Sequence, residues 1–145
     1  MNNDIAAENP LHKRLGMRPG TPGVIIAAPD DNDNPLLPLP AEVLSVPSVE
    51  DLAAQDGQLD YILYFARSRA DLTRVFPQLR EKLAPGGSLW ISWIKQAAVR
   101  RGGGLPGDLN ENVIRRMALA SGLVDVKVAA LDHDWSGLRL VFRKH

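Results

Sequence analysis

Apolar residues in this chain fall into short unbroken runs, and between those runs they recur at helical spacing. Val24 to Ala28 and Ser88 to Ile94 have almost no polar alternation, the mark of strands buried on both faces. Asp60 to Phe65 is a strand by β-propensity, and Glu42 to Val46 is a second one closed by Pro47. Val124 to Leu131 and Leu138 to Arg143 read as the last two strands. Asp132 to Gly137 joins them, short enough for an antiparallel hairpin.

Helices fill the intervals. Pro10 to Gly16 is a short one, with Leu11 and Leu15 on one side and Gly16 as its stop. Ser48 with Asp51, and Ser68 with Asp71, are capping patterns that open two more. The second of these carries Leu72, Val75, Phe76, Leu79 and Leu83, bends at Pro77 and ends at Pro85-Gly86-Gly87. Asp108 to Glu111 opens another helix, with Val113, Ile114 and Met117 on one face and Gly122 closing it. From Pro29 to Pro40 four prolines forbid a regular helix, and the segment reads as an extended loop over the core. Strand, helix, strand, helix and a closing hairpin predict an α/β fold. Its sheet is mostly parallel, with helices on both faces and a C-terminal antiparallel hairpin strand.

Composition narrows the picture without redirecting it. At 145 residues, 45% hydrophobic and 23% charged, the chain is a single globular domain over 10–145 with a polar, flexible tail at 1–9. Seventeen basic and seventeen acidic residues cancel, so no global field favours nucleic acid. The absence of cysteine removes disulfides, thiolate metal sites and a thiol nucleophile. The polar start Met1-Asn2-Asn3-Asp4 and the lack of a long apolar stretch predict a cytoplasmic protein with no membrane partner.

The Leu15 to Pro29 entry into the first strand and the Leu83-Ala84-Pro85-Gly86-Gly87-Ser88-Leu89 turn resemble two recurring segments of the class I S-adenosylmethionine-dependent methyltransferases. That resemblance implies a Rossmann-like, methyltransferase-like fold. The chain also looks like a bacterial family of small proteins without an assigned activity. Its members pair a P-G-G-x-L-W-x-S-W-x-K strand, here Pro85 to Lys95, with a late W-S-G-L hairpin, here Trp135 to Leu138. Against the methyltransferase pattern, the acidic position falls on Ile26 and the first two glycines on Ala28 and Asp30. Glycines there would let backbone approach a cofactor. A proline-leucine loop replaces the next helix, so the fold is expected to be trimmed. The second strand ends in Val46-Pro47 without an acid for a ribose, and Ala66-Arg67-Ser68-Arg69 stands where a polar catalytic motif is frequent.

Ligands of open α/β sheets bind beyond the carboxyl ends of the strands. That edge collects Pro29 to Asp31, Phe65 to Ser68, Trp93 to Lys95 and Asp132 to Ser136. The candidate ligand-binding residues are Lys95, Trp93, Asp132, Asp134, Trp135, Ser136 and Arg67, a cation–carboxylate–aromatic group once the last strand inserts beside Trp93, as the resemblance implies. The plainer alternative packs Trp135 on the hairpin, lets Asp132 or Asp134 cap the turn and leaves Lys95 solvated. Asp30-Asp31-Asn32-Asp33-Asn34 has calcium-like ligand types but neither the spaced glycine nor the distal glutamate, and reads as an Asx turn. Arg100-Arg101-Gly102-Gly103-Gly104 is a phosphate-flap candidate or an exposed loop. His12, His133 and His145 are scattered, and no metal site is expected.

The lost glycine loop predicts a non-catalytic module that binds an unknown small molecule or protein, with no cofactor. S-adenosylmethionine is the one cofactor the resemblance admits. The alternative is a methyltransferase with an atypical cofactor loop. A third reading has Leu36, Leu37 and Leu39 dock a partner or a second copy, giving a homodimer.

Overall fold

The core strands form where the apolar runs lie. β1 (Gly23–Ile26) is wholly buried, and β3 (Leu59–Phe65) is buried apart from Asp60. β4 (Leu83–Ile94) is buried through its second half. β2 (Val43–Val46) and β5 (Leu123–Ala130) are partly exposed, as suits edge strands, and β6 (Trp135–Phe142) lies between β4 and β5. This computed structural model describes residues 10–17, 20–40, 42–55, 57–100 and 107–144, with the side chains of 53, 54 and 100 left aside. The 1–9 tail, His145 and most of the Arg100 to Gly104 flap candidate therefore lie outside the described residues.

The six-stranded sheet runs β2-β1-β3-β4-β6-β5. β1 pairs in parallel with β2 and β3, and β3 with β4. β6 is antiparallel to both β4 and β5. The predicted mostly parallel sheet with its antiparallel closing hairpin is the one observed, and β6 does insert beside Trp93, which faces Ser136 in register.

Helices cover both faces, unequally. On one face α2 (Arg69–Lys82) and α4 (Glu111–Ala120) press Leu72, Val75, Phe76, Leu79, Val113 and Ile114 onto the sheet. α2 starts as read, with the Ser68 hydroxyl accepting from the Asp71 N–H at 3.1 Å; α4 starts at the end of the Asp108 to Glu111 segment, where the Asn110 side chain accepts from the Val113 N–H at 2.9 Å. α2 continues unbroken through Pro77. On the other face, among the described residues, lie the five-residue α1 (Pro10–Arg14) and the proline-leucine loop. Leu11, Leu15, Met17 and Leu36 pack there on Ile25, Leu63, Phe65 and Trp90. His12 Nε2–H donates to the Leu36 carbonyl at 2.6 Å, fastening helix to loop.

Several local expectations change. Pro85-Gly86-Gly87 does not simply end α2; it lies inside β4, where the register with β3 slips between Leu59 and Tyr61. The slip tolerates a proline without an N–H. A Cβ on Gly87 would stand 3.0 Å from the Leu59 and Asp60 carbonyls. After Ser48 the chain forms a 3-10 helix, Val49–Ala54, and the Ser48 hydroxyl donates to the Asp51 carboxylate at 3.2 Å rather than capping backbone. Lys95 to Gly107 is not all loop, since α3 (Gln96–Arg100) occupies its start. β6 begins at Trp135, three residues earlier than the hydrophobic run suggests. Leu36 is fully buried and Leu39 packs on the same cluster, so the loop's leucines mostly face their own core rather than a partner.

Candidate functional site

The site grows out of the turn that leaves β1. Ala27 carries φ +61°, the left-handed conformation that costs an L-residue roughly 1–2 kcal/mol. It is held there from two sides. Its N–H donates to the Val46 carbonyl at 2.9 Å, and its own carbonyl accepts from Arg67 Nη1 at 2.6 Å. The same nitrogen donates to the Phe65 carbonyl at 3.1 Å, so Arg67 ties the end of β3 to the end of β1. Its other guanidinium nitrogens have no hydrogen-bond partner among the described residues.

Beyond this turn opens a cavity of about 680 Å³ at the carboxyl ends of β1 and β2. Its size falls within the range of small-molecule sites. Asp30, Asp31, Asn32 and Asn34 make an acidic stretch of its wall, and Ser45, Val46, Pro47 and Arg67 also line it. The acidic wall is a 3-10 turn, Asp31–Asp33, closed by Asp33 N–H on the Asp30 carbonyl at 2.8 Å. Asn34 Oδ1 accepts from the Leu36 N–H at 2.9 Å, the Asx turn expected of such a run. Among the described residues no group of three or more His, Asp or Glu gathers as metal ligands would. The cleft thus offers exposed carboxylates, a half-buried guanidinium, one hydroxyl and an apolar strip.

Because left-handed alanine is strained, Ala27→Gly should stabilise the fold by about 0.5–1 kcal/mol. The relief exceeds the extra freedom glycine gains when unfolded. Urea denaturation measures this, and a loss of stability would mean that the turn is not left-handed.

Of the other candidate residues, Lys95, Asp132, Asp134 and Trp135 are brought together. The Lys95 N–H donates to the Asp134 carbonyl at 2.7 Å, and Lys95 Nζ donates to the Asp132 carbonyl at 2.8 Å. Asp132 Oδ1 accepts from the N–H groups of both Asp134 and Trp135 at 2.8 Å, which caps the turn. Trp135 packs edge-on against Phe65, with centroids 5.1 Å apart. The Arg67 guanidinium sits 5.6 Å from the Trp135 ring centroid. Trp93 is buried on the opposite face of the sheet, among the residues under α2 and α4. Ser136 is half-buried in β6. Of the seven candidates only Arg67 lines the cleft. Lys95 is half-buried and bonded rather than solvated, while the packed tryptophan and capping aspartate follow the plainer alternative.

Ser45 and the conformation of Ala27 were not in the sequence reading. A serine near the end of an apolar strand carries no functional signal, and alanine is a residue from which a left-handed turn is never inferred. The Val46-Pro47 strand end was in that reading, and it lines the cleft.

No protein-family model matches the chain, and no curated protein matches its sequence. Solved structures do match its fold. The N-methyltransferase NodS of Bradyrhizobium japonicum superposes with a TM-score of 0.59 at 16% identity, over 94% of this chain and 99% of that one. The magnesium protoporphyrin IX methyltransferase of Synechocystis, with S-adenosylmethionine bound, gives 0.61 at 14% identity, over 92% and 74%. The glycopeptide N-methyltransferase MtfA, also in complex with S-adenosylmethionine, gives 0.57 at 14% identity, over 92% and 86%. The fold is therefore methyltransferase-like and Rossmann-like. No helix among the described residues is long and apolar enough to cross a membrane.

Proposed function

We propose that this domain binds S-adenosylmethionine, or a molecule of the same build, in the cleft above β1 and β2. One observation carries the reading: the chain keeps a roughly 680 Å³ cavity there, entered over an alanine held in the backbone conformation that glycine usually supplies. The expectation of no cofactor rested on absent glycines. Ala27 weakens that ground, because the sharp turn survives without them.

The residues present fit such a ligand by charge. Asp30 and Asp31 suit its ammonium group, and the unused nitrogens of Arg67 suit its carboxylate. The Ser45 hydroxyl takes a ribose hydroxyl in place of a strand-end acid, and Val46 with Pro47 offers an apolar bed to the base. Bound S-adenosylmethionine supplies an electrophilic methyl group; the chain's own part is to bind and orient it.

Titration calorimetry with S-adenosylmethionine and S-adenosylhomocysteine tests the proposal. Binding of either, weakened about tenfold or more by Asp30→Asn with Asp31→Asn, is the expected result. Absence of binding by both at millimolar concentration would overturn it. Release of S-adenosylhomocysteine in the presence of candidate acceptors separates transfer from binding alone.

A further inference from the structure

At the opposite end of the sheet lies a second cleft, of about 410 Å³, whose chemistry is unlike the first. Lys13 and Arg14 from α1, Lys127 from β5 and Arg139 from β6 all line it, with Asp60 as the one carboxylate among its lining residues. In a chain whose charges cancel, that is a local excess of cations. Arg139 and Lys127 stand side by side in register, on the row that also contains Trp90. The strands β3 and β4 enter here by their amino ends, so this cleft shares no residue with the one above β1 and β2.

The cations are positioned but not neutralised. Arg14 Nη1 donates to the Ala130 carbonyl at 2.7 Å, and Lys127 Nζ to the Arg14 carbonyl at 2.9 Å. Arg139 Nε donates to the Ser88 hydroxyl at 2.8 Å. All three acceptors are uncharged, and among the described residues none of the four cations forms an ion pair. Neutral acceptors fix the direction of a cation and leave its field intact. Holding like charges together is unfavourable unless an anion is shared between them.

A second observation is independent of the charges. Tyr61 and Trp90 also line this cleft, and each is almost wholly buried. Among the described residues the Tyr61 hydroxyl and the Trp90 Nε1–H have no hydrogen-bond partner. Both atoms are shielded from the cleft, so these side chains form its firm floor and the cations are the groups that face its contents. Burial pushes the Tyr61 phenol far above its usual range, with the Arg139 charge opposing it, so the phenol stays protonated at any working pH.

We infer that this cleft binds a small phosphorylated molecule through Lys13, Arg14, Lys127 and Arg139. A phosphate group presents the several acceptor oxygens that two guanidinium forks and two ammonium groups require. A volume of 410 Å³ leaves room for more than a bare ion. Occupation would couple α1 to the β5–β6 edge, since the cations come from both.

The test is calorimetric titration of the full chain at 0.15 M salt with inorganic phosphate, pyrophosphate and adenosine monophosphate in turn. Binding of at least one of the three is expected. A phosphate ester exceeding inorganic phosphate identifies an organic ligand, and the reverse identifies a free phosphate. Lys127→Gln with Arg139→Gln should weaken binding tenfold or more. Lys13→Gln, a change at an exposed position, should weaken it several-fold with the melting temperature unmoved. S-adenosylmethionine binding in the other cleft is expected to stay the same in these variants, which separates this inference from the proposed function. No binding of any of the three, or binding undiminished in both variants, would overturn it.

Discussion

Replacing Trp135 with alanine should destabilise the fold by about 3–5 kcal/mol, the range for deleting a large buried aromatic side chain. Trp135 is only 7% exposed, and three different contacts converge on it. Its ring meets Phe65 edge to face, the Arg67 guanidinium lies over it, and its N–H closes the Asp132 turn. Loss of the ring also removes the platform under Arg67, whose Nη1 fastens the Ala27 carbonyl. Binding in the cleft above β1 should therefore weaken, although Trp135 does not line it. Urea denaturation gives the first effect, and calorimetry well below the melting temperature gives the second. Trp135→Phe, which keeps an aromatic contact, should retain most of both. A loss under 1 kcal/mol in the alanine variant would show that the T-shaped pair is not part of the core.

The same region shows why some of the molecule was legible and some was not. β1 and β4 were readable because burial on both faces leaves an unbroken apolar run. α2 and α4 were readable because Ser68 and the Asp108 to Glu111 segment supply caps locally. Trp135 to Gly137 looked like a loop because Ser136 and Gly137 interrupt the pattern. Gly137 nevertheless lies in the strand and is closely packed, since a Cβ would stand 3.0 Å from Leu131 and 3.1 Å from the Trp90 ring. Lys95 and the Asp132 turn are neighbours, as follows from the strand insertion that the resemblance implies. What they do on meeting depends on whether the lysine finds a carboxylate or a carbonyl, and spacing cannot decide that. The general rule for sheet edges named Pro29 to Asp31 and Arg67 among many residues, but the turn that leads into the cleft depends on the φ angle of one alanine.

Leu36→Ala is the sharpest test of how this trimmed fold is closed, with an expected cost of about 2.5–5 kcal/mol. Leu36 is 0% exposed, although it stands in a segment of prolines and asparagines where an apolar residue would ordinarily be expected at the surface. It fills the face that α1 alone is too short to cover, against residues such as Ile25 and Trp90. The loop therefore replaces a helix with one inserted side chain, and its anchorage depends on that side chain. Two hydrogen bonds register the insertion: His12 donates to the Leu36 carbonyl, and Asn34 accepts from the Leu36 N–H. Asn34 also lines the cleft, so withdrawal of Leu36 should loosen the acidic wall and weaken ligand binding together with stability. Leu37, which is 37% exposed, supplies the control, and Leu37→Ala should cost no more than about 0.5 kcal/mol. Equal effects at the two positions would mean that the loop lies on the surface and that the core closes without it. A large cost at Leu36 with unchanged ligand binding would instead confine its role to packing and separate the wall of the cleft from the core beneath it.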